Sequence, residues 1–196
     1  MRPSQALRSA LACAAIATFV GGGVAEAQPR PDTLAACAAC HGPNGNAPVA
    51  ELPSIAGQPK VFIENTLVLI REGLREVPAM KAVMTGMTDD EIVVLAKHYA
   101  AQAPVAAPVA VQAARVERGR QAAAGLLCGT CHLATFAGQN QVPRLAGQNE
   151  AYLLASMKQF RDHPGPGRDT VMAATLRGLS DATLGDLAHH LAAFKP

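Results

Sequence analysis

CAACHGPNG, residues 37–45, sets two cysteines three positions apart and follows the second directly with a histidine. The same pentad returns at 128–132 as CGTCH. The likeness extends outward from both. LPSIAGQPKVFI at 52–63 matches VPRLAGQNEAYL at 142–153, and MKAVMTGMTDDEIVVLAKHYAAQ at 80–102 matches MAATLRGLSDATLGDLAHHLAAF at 172–194. Three blocks in one order, with nearly constant offset, mean a duplicated unit. Chance similarity between alanine-rich helices does not account for two AGQ triplets and two pentads.

The duplication divides the chain. The expected boundaries are a signal peptide over 1–27, a first domain over 28–103, a linker over 104–112 and a second domain over 113–196. The linker region carries Pro104 and Pro108 and no charge, which suits a semi-extended connection. Helix is the only regular structure that the pattern supports. Gln58-Pro59 precedes VFIENTLVLIREG, with proline at a helix start and Gly73 as a stop. Phe62, Asn65, Thr66 and Leu69 share one face of that helix, with Ile70 beside it. Thr88 and Glu91 have capping-box spacing, and Ile92, Leu95, Ala96 and Tyr99 then recur at helical period. The matching helix starts at Ser180 and turns Leu184, Leu187 and Leu191 inward. Both units are expected to be all-α, with long loops rich in proline and glycine.

Arg2 and Arg8, then the apolar run 11–20, then Ala25 and Ala27, form an export signal with cleavage after Ala27. The alternative, an uncleaved anchor, suffers from the shortness of the run. Cys13 lies inside this segment, too close to Arg8 for a lipoprotein site. Without residues 1–27 the chain keeps 15 basic and 14 acidic residues, a net charge of +1, and no basic stripe. Nucleic-acid binding is therefore not indicated. No later segment is long and apolar enough to span a bilayer. Hydrophobic residues make up 49% of the chain but aromatics only 4%, with no Trp. Two small domains with so little bulky material need a large apolar group at each centre.

Three chemistries use paired cysteines with a nearby histidine. Tetrahedral zinc needs four ligands, and each unit offers two Cys and one adjoining His with no further Cys. A thioredoxin-like site needs a βαβ context that is absent, although export alone would favour disulfides. Covalent haem uses this pattern: two thiols add to the two vinyl groups of the porphyrin edge, and the next histidine is carried under the ring to bind iron. Cys37, Cys40, Cys128 and Cys131 are thus the expected attachment sites for two haem c groups, with His41 and His132 as proximal ligands. Electron-transfer cytochromes usually add methionine as second axial ligand. Among Met80, Met84, Met87, Met157 and Met172, the repeat selects Met80 and Met172, which align. Met84, Met87 and Met157 align with Leu176, Leu179 and Leu67 and suit core filling. Met84 is the rival in unit one, and a histidine partner is the other alternative. His163, His189 and His190 fit surface or helix roles better than ligation.

These motifs resemble the dihaem cytochrome c family of the cytochrome c4 type over nearly all of the mature chain. The resemblance rests on CAACHG and CGTCH, on PSIAGQ and PRLAGQ before an amphipathic helix, and on the shared endings after Met80 and Met172. It implies two tandem cytochrome c domains related by a pseudo-twofold axis. It also implies a periplasmic electron carrier, associated peripherally with the membrane, between a quinol- or substrate-oxidising donor and a terminal oxidase. One departure stands out. Unit two has a leading helix, ARVERGRQAAAGLLC at 114–128, with Gly119 available for close helix contact. Unit one has only QPRPDTLAAC at 28–37, room for little more than a turn, so its haem should be less covered and its unit less stable. Arg71, Arg75, Arg161 and Arg168 are candidates for neutralising haem propionates or for plain helix-end charges. Gln58 and Gln148 read as helix-start polar groups, and Tyr152 as a propionate neighbour. Two other functions compete with a free carrier: a dihaem subunit of a periplasmic dehydrogenase such as a sulfide-oxidising flavocytochrome, and a dihaem peroxidase. The peroxidase needs an iron with an open position, against two matched methionines.

Overall fold

A computed structural model describes residues 28–195. The expected signal peptide over 1–27 lies outside the described residues. Among them there are nine helices and no strand, only an isolated bridge between Gln139 and Val142. Unit one holds α1 (Pro31–His41), α2 (Lys60–Arg71), α3 (Pro78–Met84) and α4 (Asp89–Ala100). Unit two holds α5 (Ala113–Gly125), α6 (Cys128–His132), α7 (Glu150–Asp162), α8 (Thr170–Leu176) and α9 (Asp181–Ala193). No described helix is long and apolar enough to cross a membrane.

The helix signals act where the sequence places them. Thr88 accepts from the Glu91 backbone N–H while the Glu91 carboxylate accepts from the Thr88 N–H, a complete capping box. Ser180 caps α9 from the Thr183 N–H, and Gly73 ends the α2 turn at φ 69°. The buried stripe of α2 differs from the expected one. Ile63 and Ile70 are buried, with Phe62 and Leu67 packed beside them, whereas Asn65 is exposed. The stripe follows the branched apolar residues, since a polar amide cannot be buried there without a partner.

Each unit has its own core. In unit one, Ile63, Ile70, Met84, Met87, Ile92, Leu95 and Tyr99 cluster. In unit two, Leu153, Met157, Leu176, Leu184, Leu187 and Leu191 do so, joined by Phe136. The cores balance a size exchange. Gly45 of unit one lies against the Tyr99 ring, where an added Cβ would sit 2.8 Å from it. The aligned residue in unit two is Phe136, and the residue aligned with Tyr99 is the smaller Leu191. Phe136 keeps the left-handed backbone of the glycine at φ 51°, and its ring packs edge-on against Phe194 at 5.0 Å and His190 at 5.8 Å. Left-handed backbone costs a non-glycine residue roughly 1–2 kcal/mol, which this burial offsets.

The leading helices differ as expected in length and packing. In α5, Gly119 meets α9 so closely that a Cβ would lie 2.1 Å from the Asp186 carbonyl oxygen. Arg115 and Arg118 hold the same Asp186 carboxylate, and His189, almost fully buried, donates from Nδ1 to Glu150 and accepts at Nε2 from the Gln112 N–H. In α1 only Pro31–Ala36 precede the pentad, and Leu34 and Cys37 are its contacts with the core. A cavity of ≈260 Å³ opens there, lined by Arg30, Thr33, Ala36, Val83 and Met87. One detail departs from expectation: α1 runs unbroken into its pentad, but in unit two Leu127 turns left-handed at φ 56° and separates α5 from α6.

The two units share a joint. Gln58 Nε2 donates to the Arg144 carbonyl (3.0 Å) and its Oε1 accepts from the Arg144 N–H (2.9 Å). Reciprocally, Gln148 Nε2 donates to the Ser54 carbonyl and its Oε1 accepts from the Ser54 N–H, both at 2.8 Å. Residue i contacts j and j contacts i, the signature of a twofold arrangement. Both glutamines are 5% exposed. They form the joint: the Gln58 amide is spent on the other unit, while Gln148 Oε1 also accepts from the Asn149 N–H at the start of α7. The extended linker is tied down alongside: Ala107 N–H donates to Gly147 O (2.9 Å), Val105 N–H to Asn46 Oδ1 (2.8 Å), and Pro104 lies against Gly57.

Replacing Gly119 with Ala should lower stability by about 1–3 kcal/mol, the range for overpacking; an unshifted urea midpoint would show that α5 and α9 have room to part. Amide exchange of the full chain should be faster in residues 31–36 than in α5, because fewer buried contacts hold them; equal protection would contradict that ordering.

Candidate haem sites

In both units the pentad forms one helical turn, which sets both cysteines and the histidine within four positions. The first cysteines, Cys37 and Cys128, are half-buried, and Cys40 and Cys131 are exposed. No disulfide joins any of the four. Burial raises the pKa of the Cys37 and Cys128 thiols. His41 and His132 are buried to the same extent, 8% exposed each. His41 Nδ1 lies 2.9 Å from the Pro53 carbonyl, and His132 Nδ1 lies 2.9 Å from the Pro143 carbonyl. A proton on Nδ1 leaves Nε2 as the free lone pair, the form in which histidine binds a metal. Burial also pushes the His132 pKa down, which favours that neutral form.

The turn after each pentad brings the proline carbonyl into reach. Gly42 at φ 77° and Gly45 at φ 76° reverse the chain in unit one, and the Gly45 carbonyl accepts from the Ile55 and Ala56 N–H groups. In unit two Leu133 at φ 67° and Phe136 adopt the same turn, and the Phe136 carbonyl accepts from Leu145 and Ala146.

The methionines divide by burial. Met84 and Met87 are buried in the unit-one core, and Met157 in that of unit two. Met80 and Met172 are only half-buried, each the third residue of its short helix, α3 or α8. Asp169 caps α8 by accepting from the Met172 N–H at 2.8 Å.

The arginines do not act alike. Arg71 Nη1 donates to the Met87 carbonyl at 2.9 Å and pairs with Asp89 at 2.8 Å. Arg161 Nη1 donates to the Leu179 carbonyl, and Nη2 pairs with Asp181, both at 2.7 Å. These aligned residues brace the end of the methionine segment to the helix before it, so the helix-end alternative describes them. Arg168 stacks over Phe160 at 5.5 Å and bonds Gln159; burial and then the Arg75 charge lower its pKa. Tyr152 binds unit one through its backbone N–H, to Ala50 O at 3.1 Å. His190 is buried among aromatic rings and His163 ends α7.

Two buried polar groups that sequence reasoning passed over fit a bound haem. Arg144 is 8% exposed, its Nη2 has no hydrogen-bond partner, and burial pushes its pKa down. A guanidinium stays charged, so one buried here calls for an anion, which a haem propionate supplies. Tyr99 Oη is buried beside the Cys37 thiol without an acceptor of ordinary geometry. Zinc fits less well. Among the described residues no three or more His, Cys, Asp and Glu side chains cluster as a metal site. The signal for Arg144 was its place beside Pro143, but neither burial nor isolation can be read from a single letter.

Comparison with known proteins agrees with this scaffold. Residues 25–98 match the family model for cytochrome c oxidase, cbb3-type, subunit III. The chain is 34% identical to cytochrome c4 of Thiocapsa roseopersicina over 64% of its own length and 69% of that protein's. It is 29% identical to the thiosulfate dehydrogenase electron acceptor of Thiomonas intermedia, over 98% of this chain and 94% of the other. Reduced recombinant cytochrome c4 from Pseudomonas stutzeri shares the fold, with a TM-score of 0.77 at 23% identity, covering 86% of this chain and all of that one. With two C-x-x-C-H pentads on two tandem cytochrome c domains, the chain belongs to the cytochrome c4 family: an electron carrier, not an enzyme, with two covalently bound haem c groups.

Proposed function

We propose that Cys37 and Cys40 anchor one haem and Cys128 and Cys131 the other. His41 and Met80 are the axial ligands in unit one, and His132 and Met172 in unit two. On this reading the domains span 28–103 and 113–196, joined by 104–112. The observation that carries this reading is the double match of scaffold: a pentad histidine held by a proline carbonyl, and a half-buried methionine on a short helix, at aligned positions in both units. Met84 is disfavoured because it fills the core as its aligned Leu176 does.

Bound at these positions, haem iron supplies a reversible one-electron Fe(III)/Fe(II) couple. The chain's part is to hold both axial ligands, so that little rearranges when the charge changes. Arg71 and Arg161 keep the methionine segments against α2 and α7. Arg144 faces inward at the joint, where its charge stabilises the reduced state. Export to the periplasm and a role between a quinol- or substrate-oxidising donor and a terminal oxidase complete the first reading. A second reading, the electron-accepting partner of a periplasmic dehydrogenase, is supported by the Thiomonas relative, which matches over almost the whole length of both chains. Co-purification with a catalytic subunit distinguishes the second from the first.

Purified protein should carry two haems per chain, be low-spin, and show the weak red-end band of methionine on ferric haem. Met80→Ala and Met172→Ala should each abolish about half of that band, and Met84→Ala none of it; loss with Met84 instead would reassign the ligand. A high-spin, peroxide-reactive haem in the unaltered protein would contradict the carrier reading. Replacing Arg144 with Met should lower the potential of one haem, since removing a positive charge favours the oxidised iron. A redox titration showing no fall would mean that Arg144 faces no haem.

A further inference from the structure

The joint between the units and the anchors of the two pentad histidines use the same two peptide groups. The carbonyl of the Pro53–Ser54 peptide faces His41 Nδ1 at 2.9 Å, and the N–H of that peptide donates to Gln148 Oε1 at 2.8 Å. The carbonyl of the Pro143–Arg144 peptide faces His132 Nδ1 at 2.9 Å, and its N–H donates to Gln58 Oε1 at 2.9 Å. The amide orientation of Gln148 is forced, because the N–H groups of Ser54 and Asn149 both donate to it and only Oε1 can accept. We propose that Gln58 and Gln148 are crossed positioning residues: each sets the electron density of the haem in the opposite unit, through one peptide bond and the histidine behind it. The proposal rests on the reading of His41 and His132 as iron ligands.

The sign follows from the chemistry of the relay. A peptide whose N–H is hydrogen-bonded carries more negative charge on its carbonyl oxygen, so it accepts more strongly at the other end. A stronger acceptor on Nδ1–H makes the imidazole a more basic ligand. A more basic ligand favours Fe(III) and lowers the potential. Gln148 therefore lowers the potential of the haem in unit one, and Gln58 that of the haem in unit two. Neither glutamine bonds to its own unit's histidine anchor. Unit one is gripped further, since Asn149 Nδ2 donates to Val49 O (3.0 Å) and Leu52 O (2.7 Å), while the aligned residue in unit one is Pro59, which has no side-chain donor.

The test uses the intact dihaem protein with Gln148→Met and Gln58→Met. Each haem's potential is followed through its own paramagnetically shifted methyl signals, identified by Met80→Ala and Met172→Ala. Gln148→Met should raise the potential of the unit-one haem only, moving the electron partition of the half-reduced protein by on the order of twofold. It should also speed exchange of the His41 Nδ1–H. Gln58→Met should do the same to unit two and His132. A shift in the variant's own unit, equal shifts in both haems, or no shift would overturn the proposal. Gln148→Glu keeps an acceptor for the Ser54 N–H and decides alone if the methionine variant does not accumulate: a unit-one potential at or below wild type supports the relay, and one above it overturns it. Failure of the ligation reading would show separately, as a wild-type spectrum without low-spin His/Met character.

Discussion

On the proposed ligation, each pentad histidine presents one nitrogen to iron and keeps its proton on the other. The carbonyls of Pro53 and Pro143 impose that condition, and much of each unit serves to deliver them. The turn after the pentad reverses through left-handed residues so that the chain returns beneath the histidine. The AGQ segment then crosses to the last helix, where the Gly57 N–H donates to Tyr99 O and the Gly147 N–H to Leu191 O. The loop that carries the proline is thus stitched to the pentad side, to the C-terminal helix and, through the glutamines, to the other unit. A buried amide that lost its partner would cost about 1–3 kcal/mol, so the joint and the histidine anchors are expected to hold or fail together.

The two units solve one packing problem with different residues. Where unit one places glycine and a tyrosine ring, unit two places a phenylalanine and a leucine. Where unit one turns at Gly42, unit two turns at Leu133. The backbone path is common and the side-chain volume is redistributed, as close-packed interiors demand. Unit two also carries the longer leading helix and the Arg115–Glu150–His189 network, so the better-braced half lies on the C-terminal side.

The duplicated motifs, the all-helical class and the capping box were legible because each is a local pattern or a repeat of one. Gly119 was legible too, since a glycine inside a helix facing another helix has few other uses. The glutamine joint was not. Its bonds run between residues 86 and 94 positions apart and end on main-chain atoms, which leave no mark in a side-chain pattern. Arg71 and Arg161 were visible as an aligned pair, but a guanidinium suits a carbonyl, a carboxylate or a propionate equally well in one dimension. The α2 stripe was misplaced for a simpler reason: several adjacent positions are apolar, and periodicity alone cannot choose between neighbouring faces.

The joint grips main chain, and so it is indifferent to the side chains at the gripped positions. Ser54 and Arg144 occupy equivalent places and are held by equivalent bonds, yet one is a small hydroxyl and the other a buried cation. A tandem protein built this way can make its halves electrically unlike without disturbing their fit. Placing a charge at one of two matched positions breaks the equality of the irons while the architecture stays symmetric. An electron arriving at the pair would then meet a gradient and not two interchangeable stops.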